Sequence, residues 1–140
     1  MSITSNQTYS QVREHLPEKR RLVYDAIKEM KSCTFYDVAN YLRLEINQVS
    51  NRFNELLFAG YIKVIGSEKN GIYERDLYTV IENKSEIIKT QEKLYQSYID
   101  SKSELEQDFH RCQTNEGKNL LRKRINHLKT KINNLKEIAI

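Results

Sequence analysis

The feature that most constrains this chain is a strict alternation near its C-terminus. Leu121, Ile125, Leu128, Ile132, Leu135 and Ala139 follow one another at spacings of 4, 3, 4, 3 and 4, an a/d seam sustained over almost three heptads. Such a helix is apolar on one side only, so it cannot form a core alone and must lie against another helix. The preceding segment offers one. Ile87, Leu94, Tyr98, Leu105, Phe109 and Cys112 keep spacings of 7, 4, 7, 4 and 3, with polar Gln91 and Ser101 at intervening heptad positions. Thr114-Asn115-Glu116-Gly117-Lys118-Asn119 supplies the turn between the two segments. The pattern predicts a helical hairpin, with one long helix interrupted at Gly117 as the alternative.

Charge follows the same division. Residues 1–80 carry 11 Lys+Arg against 10 Asp+Glu, residues 81–116 carry 5 against 8, and residues 117–140 carry 7 against 1. The last segment therefore supplies the whole of the +4 net charge. Two uses compete for it. Arg122, Lys123, Arg124, Lys129 and Lys131 could grip nucleic acid, or the basic arm could lie along the acidic arm before it, within one chain or between chains. The second use is favoured. It makes residues 83–140 a coiled-coil assembly region, with Leu94, Tyr98, Leu105, Leu121, Ile125, Leu128, Ile132 and Leu135 as the contact between copies in a homo-oligomer, expected to be a dimer. The seam has no Trp or Phe anchor, which argues against a membrane surface.

Composition narrows the classes further. Over 140 residues, 39% apolar against 30% charged and a mean hydropathy of −0.72 suit a small core joined to solvated helices. Four glycines and one proline exclude collagen-like and turn-dense all-β chains. No run approaches the roughly 18 consecutive apolar residues of a membrane-spanning helix. Met1 to Ser10 is polar and lacks an apolar region, so no secretory leader is expected. Cys33 and Cys112 lie 79 positions apart and fit neither a zinc nor a CxxC pattern, so both are expected to be reduced, in a cytoplasmic protein. His15, His110 and His127 fall at no metal-ligand spacing, and there is no phosphate-cradling glycine loop or nucleophile elbow. No catalysis, metal or cofactor is expected.

The first half reads as short elements. Residues 1–17 form a flexible or partly helical lead-in, with a helical turn about Tyr9–Leu16. Pro17 and Glu18 start a helix whose apolar stripe is Leu22, Val23, Ala26, Ile27 and Met30. Ser32 and Cys33 break it. Thr34 opens a second helix, with Asp37 three positions on as a capping-box variant, and Phe35, Val38, Ala39, Tyr41 and Leu42 as its buried side. A third helix buries Val49, Phe53, Leu56 and Leu57, and Gly60 stands where a C-terminal glycine belongs. Two β-like runs, Tyr61-Ile62-Lys63-Val64-Ile65 and residues 72–80, flank the loop Gly66-Ser67-Glu68-Lys69-Asn70-Gly71, whose Asn70-Gly71 pair tolerates positive φ, and this order predicts a β-hairpin.

Three short helices followed by a hairpin is a distinctive order, and particular residues carry a resemblance. Asp37-Val38-Ala39-Asn40-Tyr41-Leu42, then Leu44, then Gln48-Val49-Ser50-Asn51-Arg52-Phe53-Asn54-Glu55-Leu56, then Ala59-Gly60-Tyr61-Ile62 resembles the core of bacterial winged helix-turn-helix regulators. The MarR-like proteins and the small winged-helix proteins of phages and plasmids are the most similar. The resemblance covers about residues 18–80. It implies a mainly α fold with a small β-hairpin, a DNA-binding domain over residues 18–82, a recognition helix ending near Leu56, and a hairpin acting as the wing. The chain departs from the family at two places: Arg43 stands at the usual glycine of the helical turn, and Glu45 at the usual Ser or Thr cap.

Residue chemistry agrees with that implication. Base edges in the major groove are read by hydrogen-bonding side chains on one helix face, Asn and Gln pairing with adenine and Arg with guanine or phosphate. Asn47, Gln48, Ser50, Asn51, Arg52 and Asn54 provide such a face, against the alternative of an ordinary solvated surface. Lys63, Lys69, Asn70 and Arg75 mark the wing as a second contact. Lys19, Arg20 and Arg21 are better read as solvated than as phosphate contacts. The reading is a sequence-specific double-stranded DNA-binding protein, a transcriptional regulator acting as a dimer. Two alternatives stand: a DNA-organising, replication, partition or packaging adaptor of a phage or plasmid, and a protein-binding winged helix without DNA contact.

Overall fold

The structure is a computed structural model and describes residues 5–140; the first residues of the expected lead-in lie outside them. The element order is α1 (Ser5–His15), α2 (Glu18–Met30), α3 (Phe35–Leu42), α4 (Ile46–Phe58), β1 (Ile62–Asn70), β2 (Tyr73–Val80), α5 (Lys84–Arg111) and α6 (Asn115–Ile138). The chain is mainly α with one two-stranded antiparallel hairpin. The described residues divide into two units, residues 5–88 with Ile140, and residues 89–139.

In the first unit, α2, α3, α4 and the hairpin occur in the order the resemblance implies. Each turn between them has a local cause. Thr34 caps α3 by accepting from the Asp37 N–H at 3.2 Å, while the Asp37 carboxylate accepts from the Thr34 N–H at 2.9 Å, the reciprocal box the spacing predicts. At the end of α4, Gly60 adopts φ 81°. Its N–H donates to the Leu57 carbonyl at 3.1 Å and that of Tyr61 to Leu56 at 3.0 Å. This paired closure satisfies orphan helix carbonyls and requires the left-handed region at its centre. It sends Tyr61 straight into the core, where it is fully buried.

Val23, Ala26 and Ile27 of α2, Val38 and Ala39 of α3, and Val49, Phe53 and Leu56 of α4 meet Ile62, Tyr78 and Val80 from the hairpin. Phe35, Phe53 and Tyr78, one each from α3, α4 and β2, form a closed triangle with ring centroids 4.9, 5.2 and 5.0 Å apart. Edge-to-face and offset pairs at such distances add to the area they bury. Tyr24 is also in the core, whereas Leu22, Tyr41 and Leu57, expected inside, are exposed at 49, 60 and 38%.

Three further features depart from expectation. The lead-in contains an eleven-residue helix, longer than the expected turn; its Thr8 and Val12, with Leu16 just past its end, recur at i, i+4 and i+8 and are buried. The Asp25 carboxylate ties it to α2 by accepting a fork from Arg13, at 2.8 and 3.0 Å, and the Tyr9 hydroxyl proton. Arg21 donates to the carbonyls of Arg13 and Leu16 at the helix end, satisfying groups that α1 leaves open. Secondly, the expected six-residue loop is mostly strand: β1 runs on through Asn70, and the turn is only Gly71 and Ile72. Asn70 pairs with Tyr73, and only Gly71, at φ 66°, takes positive φ, as a two-residue turn with glycine at its first central position demands. Thirdly, Cys33 is a third strand in miniature, exchanging N–H and carbonyl bonds with Tyr78 at 3.0 and 2.8 Å. Before it, Lys31 sits at φ 68°, ψ −53° with the Ser32 N–H bonded to the Met30 carbonyl, a strained γ-turn.

The second unit holds most of α5 and all of α6, and the two run antiparallel there. Phe109 lies under Lys118 and Arg122 at 5.7 and 5.4 Å, Tyr98 under Lys131 at 5.7 Å, and Tyr95 under Lys136 at 5.6 Å. The turn is capped by Thr114, whose hydroxyl accepts from the Gly117 N–H at 3.1 Å. A Cβ at 117 would come within 2.5 Å of the Cys112 sulfur. Of the expected seam, Ile125, Ile132 and Leu135 are buried within the single chain, while Leu94, Tyr98, Leu105, Leu121 and Leu128 are half-buried.

Arg43 closes α3 in the left-handed conformation, φ 55°, ψ 46°, a backbone region that favours glycine. A side chain there costs about 1–2 kcal/mol, offset in part by the greater unfolded-state freedom of glycine, about 0.4–1 kcal/mol. Arg43→Gly is therefore expected to stabilise the protein by up to about 1 kcal/mol, read as a higher urea midpoint at unchanged slope.

Candidate nucleic-acid interface

Helix α4 turns two opposite faces to its surroundings. Val49, Phe53 and Leu56 are buried, and on the other side Asn47, Asn51 and Asn54 recur at i, i+4 and i+7, all exposed, with Ser50 half-buried among them. Asparagine is a weak helix former because its short amide competes for the backbone. Three on one outward stripe weaken the helix and pack against nothing in the chain. Their amides are held at fixed spacing by a helix clamped from behind.

The other predicted residues of α4 are partly committed elsewhere. The Gln48 side-chain oxygen accepts from the Glu45 N–H at 3.4 Å, so Glu45 and Gln48 do the capping work of the missing Ser or Thr. Arg52 pairs with both carboxylate oxygens of Glu55, at 3.0 and 2.8 Å, and Arg20 of α2 donates to the same carboxylate. Glu55 thus holds two arginines against the side of α4, and Arg52 points along the helix toward its fourth turn. A sequence scan sees Arg52 as a free cation; the carboxylate three residues on is the signal that it is shared.

The wing residues separate in the same way. Lys63, at the base of β1, bonds Glu86 at 3.0 Å. Arg75 lays its guanidinium on the Tyr36 ring at 3.7 Å, walling a shallow groove of about 400 Å³ with Phe35, Tyr73 and Tyr78. Lys69 and Asn70 are exposed at the end of β1, beside the turn. β1 bulges at Ile65, since Val64 faces Tyr78 and Gly66 faces Leu77. Of the expected site residues, Asn47, Asn51 and Asn54 are therefore exposed on the helix, and Lys69 and Asn70 at the far end of β1. Lys63, Arg75 and Arg52 support the scaffold around them.

Among the described residues no three His, Cys, Asp or Glu side chains converge as a metal site. Burial pushes the Cys33 thiol up to about 12, so at neutral pH it stays protonated and is a poor nucleophile. Cys112 is half-buried at the start of the inter-helix turn. A thiol-exchange dye at pH 8 should therefore label one cysteine per native chain, Cys112, and reach Cys33 only in denaturant. Two fast thiols would place Cys33 outside the core.

No family model matches this chain, and no curated protein matches it. Among solved structures, one described as the crystal structure of a transcriptional regulator is similar over 96% of this chain and 91% of its own, at 13% identity and a TM-score of 0.39.

Proposed function

We propose that the protein binds double-stranded DNA sequence-specifically as a winged helix, laying α4 in the major groove with the hairpin against the adjacent backbone, and that it acts as a transcriptional regulator. The outward asparagine stripe of α4 carries this reading. An adenine presents N7 as acceptor and N6 as donor in the major groove, and one asparagine amide satisfies both. A helix that spends three outward positions on asparagine, with its one carboxylate drawn aside by Arg20 and Arg52, suits a polar and electronegative groove.

The experiment is selection of bound duplexes from a pool of genomic fragments, followed by affinity measured at several salt concentrations. Asn51→Ala should weaken the selected site by about 1–3 kcal/mol while leaving random duplex nearly unchanged. Lys69→Glu should weaken both alike and flatten the salt dependence. One enriched operator supports a regulator, and a repeat array the DNA-organising adaptor. No salt-dependent affinity for any duplex leaves the protein-binding winged helix.

Dimerisation belongs to the same proposal, since two half-sites supply the specificity that one recognition helix lacks. Leu94, Tyr98, Leu105, Leu121 and Leu128 stay half-exposed in the single chain, and a second copy would cover them. Sedimentation of the wild type should give a dimer. Leu128→Asp should give a monomer of unchanged helix content that has lost its preference for paired half-sites, because a carboxylate cannot be desolvated in the seam.

A further inference from the structure

We infer that Ile72, at the apex of the hairpin, is an apolar wedge that enters the minor groove and kinks the duplex. The inference rests on the DNA reading above and adds to it a residue and a mechanical effect. Ile72 is 92% exposed, the most exposed large apolar side chain among the described residues. The turn does not ask for it. With Gly71 supplying the positive φ, the second central position takes ordinary backbone angles and is commonly Asn, Asp or Ser. A β-branched apolar residue there stays in contact with water and gains no burial within the chain.

Its neighbours suit the floor and walls of a minor groove. Lys69 and Asn70 precede the turn, a cation for the negative potential of a narrow groove and an amide for its acceptors. Tyr73 follows, 67% exposed. A two-residue turn is the narrowest end a hairpin can present, and the minor groove is only about 6 Å wide. The hairpin is held near its root by the Cys33–Tyr78 bridge and farther out, at the Glu68↔Arg75 pair, by the Arg75–Tyr36 stack, so force on the tip is passed to the core. Apolar side chains set between base steps in this way unstack them and bend the duplex by about 20–90° toward the major groove, most easily at pyrimidine–purine steps.

The test measures end-to-end energy transfer in a doubly labelled duplex of about 30 base pairs carrying the selected site, with and without protein. Wild type should shorten the end-to-end distance, and Ile72→Ser should abolish the shortening and lower affinity about tenfold. The salt dependence should remain unchanged, because no phosphate contact is removed. Ile72→Leu should restore the bend, and all three proteins should unfold at the same temperature, since the side chain packs against nothing. If Ile72→Ser bends and binds like wild type, the wedge is overturned while the DNA reading stands. A changed sedimentation coefficient for Ile72→Ser without DNA makes the tip a protein contact and also overturns it. If wild type binds no duplex, both fall.

Discussion

The triangle of Phe35, Phe53 and Tyr78 is the contact on which the rest of the first unit depends. Each ring comes from a different element, so the angle between α4 and the hairpin is fixed where the three meet. A helix face and a wing can act on one surface only if that angle is held. The rings hold it by face and edge contacts, with the Tyr78 hydroxyl as the one polar group among them. Polar ties such as Lys63–Glu86 and Lys28–Glu82 lie at the periphery, where exposed ion pairs contribute little. Truncating Phe53 would remove two of the triangle's three edges at once.

How much of this was legible in the sequence depends on the range of the interaction. The Thr34–Asp37 box, the Gly60 closure and the apolar stripe Val49, Phe53, Leu56 are local in sequence, and periodicity or spacing found them. Errors came where a distant partner overrode a local signal. Asn70-Gly71 is the stronger turn dipeptide, but the bulge at Ile65 shifts the register by one and hands the turn to Gly71 and Ile72. Cys33 carries no strand pattern of its own; it is a strand because Tyr78 offers a free edge. Tyr41 fits the apolar period of α3 yet is exposed, since it stands at the edge of a stripe broader than the face that this helix of about two turns gives to the core. The asparagine stripe was visible as composition, but that Arg52 is held by Glu55 and Gln48 by capping emerged only with side chains in place.

The same distinction applies to the C-terminal arms. Heptad spacing located the seam, and charge segregation suggested that the arms attract. The contacts between them are less a ladder of ion pairs than cations over rings. Lys118, Arg122, Lys131 and Lys136 stack on Phe109, Tyr98 and Tyr95, and within α5 the ion pair Lys102–Glu106 is local. Cation–ring contacts depend less on exact side-chain placement than bidentate pairs do. Much of the basic excess of α6 is thus turned toward its neighbour helix, which leaves less of it for a nucleic-acid backbone.

The bulge at Ile65 has a mechanical meaning beyond its effect on register. An extra residue in one strand of a two-stranded ribbon bends that strand and tightens its twist. The pairs from Gly66↔Leu77 outward therefore rotate as a block relative to Ile62↔Val80, and the apex takes its bearing from a point near the root. Such an arm can be re-aimed without touching its tip. Removing Ile65 would preserve each outer cross-strand pair and the chemistry of Lys69, Asn70 and Ile72 while pointing them elsewhere. If α4 and the hairpin bind DNA as proposed, the spacing between their two contacts would be set in part by that one inserted residue.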